Sequence, residues 1–374
     1  MKFPFTKLNL VLIYLFIFCI RLFFVLQAEM NLREFAGNEV KVRGRVTSEP
    51  VVKGTSQSFN LDRVKVISSL YPVWHYSDAI EAVGTLDRRV IGGFYSQFSL
   101  IYPDIKAYQP DSKLNFWQGF TQAAIRGRTG VEGVYQRVLP EPESSLLAGI
   151  VLGVKRGLPD SFYQHLQKTG TLHLVVASGY NISVVLGTLV GLLAGLLRRQ
   201  WAILVGFLAV IFYTVMAGGE PAIVRAAIMG SLAYLGQILG RKSESLRLLM
   251  VAGGIMLLVN PFYLLDLGFQ LSFLATLGII LLADKLPKLI AETTAAQIFV
   301  WPLLYLHFGQ MNPFAILVTV LIVWLVPYIM GLGAFLALFG WIKPVGIVLG
   351  WIAYLPLHLM TTIISWFGTH VALN

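Results

Sequence analysis

Hydrophobic and polar positions alternate along this chain in three successive textures. Leu8 to Leu26 is an apolar run of about the length that crosses a bilayer, with Lys2 and Lys7 ahead of it and Arg21 near its end. A cleavable signal peptide competes for such a run. Its length, Arg21 and the lack of a small-x-small cleavage site favour an uncleaved anchor with a cytoplasmic N-terminus. From about Gly37 to Tyr108 apolar residues recur at every second position, as in 39–46, 61–66, 79–86 and 98–102, with Gly, Pro and Ser between the segments. That period belongs to strands. About five strands in roughly seventy residues fit an OB-like β-barrel, and other small barrels nearly as well.

The period changes again after residue 110. Phe116–Leu139 has the spacing of an amphipathic helix carrying Arg126, Arg128 and Arg137, and Ser144–Leu152 and Phe162–Leu166 predict shorter helices. None is long and apolar enough to span, so interfacial or partly re-entrant elements are expected. Beyond Leu172, apolar runs predict spans at about 172–197, 201–217, 222–240, 246–260, 266–283, 291–308, 313–340 and 344–367. The 246–260 run is short, and Pro327 predicts a kink in 313–340, so broken helices around a cavity are expected. The expected organisation is an anchor (1–30), an extracytoplasmic OB-like β-domain (31–110), interfacial helices (111–171) and a multi-span domain (172–374). The fold class is thus a polytopic α-helical membrane protein with a small extracytoplasmic β-barrel domain.

Composition agrees. Of 374 residues 56% are hydrophobic and 13% charged, whereas soluble domains hold about 45–50% and about 25%. Lipid must therefore solvate most of the apolar surface. The net charge of +10 reads first as topology. Arg198-Arg199, Arg241-Lys242 with Arg247, Lys285 with Lys288, and Lys343 fall at every second junction, and the junctions at 218–221, 260–261 and 310–313 hold no Lys or Arg. Basic junctions on the cytoplasmic side put the β-domain outside in a multi-pass protein. Cys19 is the single cysteine, which excludes an internal disulfide or a Cys-based zinc site. No metal or other cofactor is expected. No GxxxxGK[ST] is present, so any ATP-driven step falls to a partner.

Four polar constellations enter the apolar half. The first, Thr169–Ser183, contains His173, Ser178, Gly179, Asn181 and Ser183; Ser178 and Asn181, three apart, share a helix face. In the second, Arg225 follows Glu220-Pro221 within the first turns of a span, where a charge needs a cavity, a partner such as Glu220, or phosphate. The third is Asp266–Phe273 with Gln270 and Ser272; the fourth holds Gln297, Trp301-Pro302 and His307. The plainer account of the first is helix packing, with interhelical hydrogen bonds of about 0.6–2 kcal/mol, and of the second a snorkelling Arg225 paired with Glu220. His307 reads as a structural hydrogen-bonder.

In this order these stretches resemble the membrane domain of the ComEC competence proteins. The resemblance rests on His173 to Gly179, Arg225 to Met229, Gly240-Arg241, Gly268 to Phe273 and Gln297 to Gly309, and it is strong over about 140–330. It implies a channel that admits single-stranded DNA to the cytoplasm during natural transformation, and not an enzyme. His173, Ser178, Gly179, Asn181, Arg225, Gln270, Ser272 and Gln297 would line the path. Outside the membrane Lys41, Arg43, Arg45, Arg63, Lys65, Arg126, Arg128, Lys155 and Arg156 would meet DNA, as positive charge meets a phosphate backbone. Two departures stand out. The family reads Ser-Gly-Leu-His where this chain has Ser178-Gly179-Tyr180-Asn181, so Asn181 would take the His position as a neutral hydrogen-bonder. No His-x-His-x-Asp cluster of the family's metallo-β-lactamase-like domain is present. The expected partners are single-stranded DNA, membrane lipid and separate competence proteins (a DNA receptor, a nuclease and a cytoplasmic ATP-driven motor), with a homo-oligomer left open. Two other classes compete. An intramembrane serine hydrolase would use Ser178 with His173 or His307, and a small-solute transporter would have internal repeats, which are not apparent.

Overall fold

In a computed structural model of the chain, residues 7–91, 95–108, 115–154, 157–172, 198–238, 244–288, 290–308 and 314–370 are described, with the isolated glycines 187, 191, 195 and 240. They fall into two compact units, Met1–Gln122 with Ile255–Leu265, and Ala123–Gly254 with Asp266–Asn374.

The first unit begins with α1 (Lys7–Arg33) and continues into seven strands. These are β1 (Glu39–Arg45), β2 (Val51–Lys53), β3 (Ser56–Leu61), β4 (Val64–Ser69), β5 (Ala79–Ile91), β6 (Tyr95–Ile101) and β7 (Asp104–Ala107). Their order is β1-β5-β6-β4-β3-β2, with β7 also on β5. Every pairing is antiparallel except β4 with β6. The sheet is not closed by a full ladder; a single bridge, Val46 to Leu61, links the end of β1 to β3 among the described residues. Period-two alternation turns Phe59, Leu61, Val66, Ile80, Leu86 and Leu100 into one core. One expected strand is divided in the structure. The 61–66 segment crosses a two-residue turn, Asp62–Arg63, that joins paired Leu61 and Val64. Asp62 sits at φ 56, a left-handed conformation that Asp tolerates without glycine, so the turn hides inside an alternating pattern.

On the outer face of this sheet Glu81 pairs with Lys41 (2.6 Å) and Arg43. Hydrogen bonds from Lys41 and then Arg43 hold its carboxyl below the usual carboxylate range. A depressed folded-state pKa contributes stability above the unfolded value and loses it as pH falls through the folded one. Wild type should therefore melt above Glu81→Gln at neutral pH. The gap should close below about pH 4; a gap that persists in acid would contradict the pairing.

The second unit is helical. After α2 (Phe116–Val138), which enters from the first unit, come α3 (Glu143–Leu152), α4 (Asp160–Lys168), α5 (Arg199–Met216), α6 (Pro221–Ile238) and α7 (Ser245–Val259). Then follow α8 (Leu267–Leu282), α9 (Ala291–Phe308), α10 (Ala315–Val323), α11 (Val326–Phe339) and α12 (Lys343–His370). Among the described residues, three stretches can cross a membrane by length and composition, Tyr14–Arg33, Leu267–Lys285 and Lys343–His370, and a fourth if α10 and α11, bent by 50°, act as one span. That is fewer than the runs predicted. The 172–197 run lies largely outside the described residues, and α7 has 15 residues, about 22 Å at 1.5 Å each against a hydrocarbon core of about 30 Å. The kink expected at Pro327 is a full break: α10 and α11 meet at 50° just before it, and Pro327 stands in the first turn of α11, where its missing N–H has no acceptor to lose.

The α3 run is buried on every side, from Glu143 to Ile150, as an apolar helix without a polar stripe must be. It forms the centre of the core with α10, α11 and α12. Gly333 of α11 makes room for Leu147 and Val151 of α3, and the buried Tyr135 hydroxyl donates to the Gly333 carbonyl at 2.8 Å.

Candidate functional site

The α5–α6 connection is built for a sharp reversal. Gly218 and Gly219 both take positive φ (84 and 64), a region side chains avoid. Pro221 then opens α6, and the Glu220 carbonyl accepts from Ile223 and Val224. This sets Arg225 in the second turn of α6. On α8 the Asp266 carboxylate caps the helix by accepting from the Phe269 N–H at 2.7 Å, as short acidic caps do. The Phe269 and Phe273 rings stack at 4.2 Å. Four residues apart on the same helix, Ser272 and Thr276 share a face.

Arg225 is brought onto that face and is buried. Its Nε donates to Ser272 Oγ at 2.7 Å, Nη1 donates to Thr276 Oγ1, and Met229 Sδ lies 3.8 Å from Nη1. Among the described residues its partners are two hydroxyls and a thioether; none is a carboxylate. Glu220, one turn back, is not the partner. Nη2 has no hydrogen-bond partner among the described residues. A guanidinium carries five donors in a planar fork suited to carboxylate or phosphate. This one is desolvated, held by neutral groups, and left with donor capacity.

The other predicted path residues divide. His173, Ser178, Gly179 and Asn181 lie outside the described residues. Gln270 is half-buried on α8, two positions from Ser272 and so on a different face. Gln297 is half-buried on α9. Ala295 and Phe299 face α8 at Gly278, and Gln297, about 200° around the helix from both, points away from it. His307 Nδ1 engages the Leu303 carbonyl at 3.1 Å within its own helix.

The basic residues also divide. Arg63 and Arg126 are exposed and Lys65 half-buried. Lys41 and Arg43 are engaged by Glu81, and Arg45 donates to the Ser77 carbonyl at 3.1 Å. Lys155 and Arg156 lie outside the described residues. Arg128, expected to meet DNA, is instead 4% exposed. Its Nη1 donates to the Met216 carbonyl at 2.7 Å, and Nε lies 3.4 Å from Glu132. It caps the C-terminal end of α5, where a cation opposes the helix dipole.

A second buried polar cluster was not singled out from sequence. Glu143, 3% exposed, lies 2.8 Å from His358 Nδ1 and accepts from Thr361 Oγ1 at 3.1 Å. A run of Glu141, Glu143, Ser144 and Ser145 at the head of an apolar helix was its only trace in the sequence.

Comparison with known proteins fits the helical region. A family model described as Competence protein matches residues 150–373, more than half of the chain, and includes the Arg225 cluster. The chain is similar to ComE operon protein 3 of Bacillus subtilis (strain 168), 25% identical over 214 residues, covering 55% of this chain and 28% of that protein. It is also similar to an uncharacterized protein of Aquifex aeolicus (strain VF5), 32% identical over 128 residues, covering 34% of this chain and 30% of that protein. Each alignment thus spans less than a third of the relative's length.

Proposed function

The chain belongs to the competence protein family, and on that premise we propose that it serves DNA uptake as a membrane channel passing single-stranded DNA to the cytoplasm. The observation that carries the reading is Arg225, a buried guanidinium that among the described residues has neutral partners and a donor to spare. A phosphate diester moving past would supply the missing anion and the bidentate acceptor. Ser272 and Thr276 keep the fork aimed while no phosphate is present. His173, Ser178, Gly179 and Asn181 complete the lining in this reading; Gln270 and Gln297, on other helix faces, are left out of it.

The N-terminal sheet is then an OB-like barrel outside the membrane. Its strand order, the parallel β4–β6 pair and the Val46–Leu61 bridge from the end of β1 to β3 support that reading. Arg63, Lys65 and Arg126, with Lys155 and Arg156, are the basic groups offered for first contact with the strand. The basic junctions orient the spans in the bacterial cell membrane with the β-domain outside.

Uptake tests this directly. Cells lacking the gene should bind end-labelled duplex DNA at the surface yet accumulate no nuclease-resistant label inside, and the wild-type gene should restore it. Normal internal label in the deletion strain would sink the channel reading.

A further inference from the structure

The β5–β6 hairpin does not stop at the edge of the core. The Gly37 N–H donates to the Leu86 carbonyl at 2.9 Å, and Leu86 donates back to Asn38 at 3.1 Å, just past the end of α1. From there β5 runs on to Ile91, pairing Val90 with Ser96 and Ile91 with Tyr95. The Ser96 N–H donates to the Glu29 carboxylate at 2.8 Å. Glu29 precedes the last residue of α1, Arg33, by one helical turn, and Arg33 donates to the same carboxylate at 2.9 Å. The hairpin therefore runs back along α1, from its end toward its apolar middle.

Register converts this into depth. Glu29 lies about 4–5 Å beyond Leu26, where the apolar run ends, at about 1.5 Å per residue. The Ile91–Tyr95 pair is one further step of about 3.3 Å toward that boundary. Since α1 is a candidate span over Tyr14–Arg33, the Ile91–Tyr95 pair is held at the level where headgroups meet acyl chains. Its composition suits that level. Arg88-Arg89 is followed by Val90-Ile91. Val90 is 51% exposed, Arg89 is exposed, and Arg88 donates to Ser96 Oγ at 2.9 Å. Apolar residues at the boundary with cations one step outward match an interfacial segment on anionic lipid.

We propose that the β5–β6 hairpin is a membrane-interface anchor, with Val90 at the headgroup–acyl boundary and Arg89 on anionic lipid phosphates. With α1 it gives the sheet a second attachment to the same bilayer, fixing its tilt. The proposal stands independently of DNA transport.

Depth-dependent quenching tests it on the full-length chain carrying Cys19→Ser. Vesicles of phosphatidylcholine with phosphatidylglycerol would hold the protein with an environment-sensitive fluorophore on Val90→Cys or Ile101→Cys. Ile101 is also exposed and ends the paired strand β6, about 17 Å along it from Val90's partner Ser96 and away from the hairpin end. Spin-labelled acyl chains should quench the Val90 label at least threefold more than the Ile101 label, and iodide should do the reverse. Arg89→Glu should halve the Val90 quenching in the anionic vesicles and leave it unchanged in pure phosphatidylcholine. A third label at Arg89→Cys guards against disturbance at Val90 and should fall between the two. Equal lipid quenching at Val90 and Ile101, a label at Val90 shielded from both quenchers, or a reversed order would overturn the proposal.

Discussion

Arg225→Met is expected to cut transformation by about one to two orders of magnitude while leaving the protein as stable as wild type or more so. The first half follows from the hydrogen bonds to phosphate that a methionine cannot make. A hydrogen bond to a charged group contributes about 1.5–3 kcal/mol, and about 1.4 kcal/mol is tenfold. The second half follows from the cost of keeping the charge where it is. A buried ion loses several kcal/mol of hydration, and Ser272 and Thr276 return a comparable amount through two charge-assisted bonds. Removing the guanidinium leaves little stranded. Thr276 Oγ1 still donates to the Ser272 carbonyl at 3.0 Å, and the thioether replaces the stem's volume. Arg225→Lys should restore part of the uptake, since an ammonium keeps the charge but cannot present the fork. Transformation frequency and thermal unfolding of the purified variants check both halves. If uptake and stability fall together in Arg225→Met, the residue is structural.

Arg225 shows what a sequence can carry. Its expense was legible, because a cation among apolar turns needs a partner, but the partner was not. Glu220 is near in sequence, yet the side chain turns to α8, 47 residues away. Helix positions followed the same rule. The period of the apolar runs placed α5 to α9 and α12 to within a few residues, since lipid or core burial imposes it locally. What the period cannot tell is which apolar helix meets protein. The run of α3 reads as interfacial because it is too short to span, yet in the structure it is buried among other helices. The group that accommodates Glu143, His358, is 215 residues downstream. In the sheet, alternation gave the strands, and the missed turn at Asp62–Arg63 carries neither Gly nor Pro. The hairpin beyond Leu86 was also underread, because its exposed Arg88-Arg89 breaks the pattern just where β5 leaves the core.

Arg128→Ala is expected to destabilise the helical unit by about 3 kcal/mol, the lower end of the cost of breaking a buried ion pair by removing one partner. Three effects add in the same direction. The Met216 carbonyl loses a 2.7 Å charge-assisted donor. The C-terminal end of α5 loses a buried cation, worth up to about 2 kcal/mol in favourable geometry. Glu132, beside it at 3.4 Å, is left with its charge less compensated. Arg128→Ala with Glu132→Gln should recover part of the loss, because the second change removes the carboxylate that has lost this cation. Uptake should fall as well, by a route distinct from Arg225→Met. Met216 leads through the glycine turn into α6, so loosening the end of α5 shifts the helix that aims Arg225. The single Arg128 variant should therefore lose stability and transformation together, and the double variant should regain part of both. Chemical denaturation of the three proteins, run beside transformation assays, separates this from the role that a basic helix face first suggests. A direct DNA contact would lose binding at unchanged stability and gain nothing from Glu132→Gln.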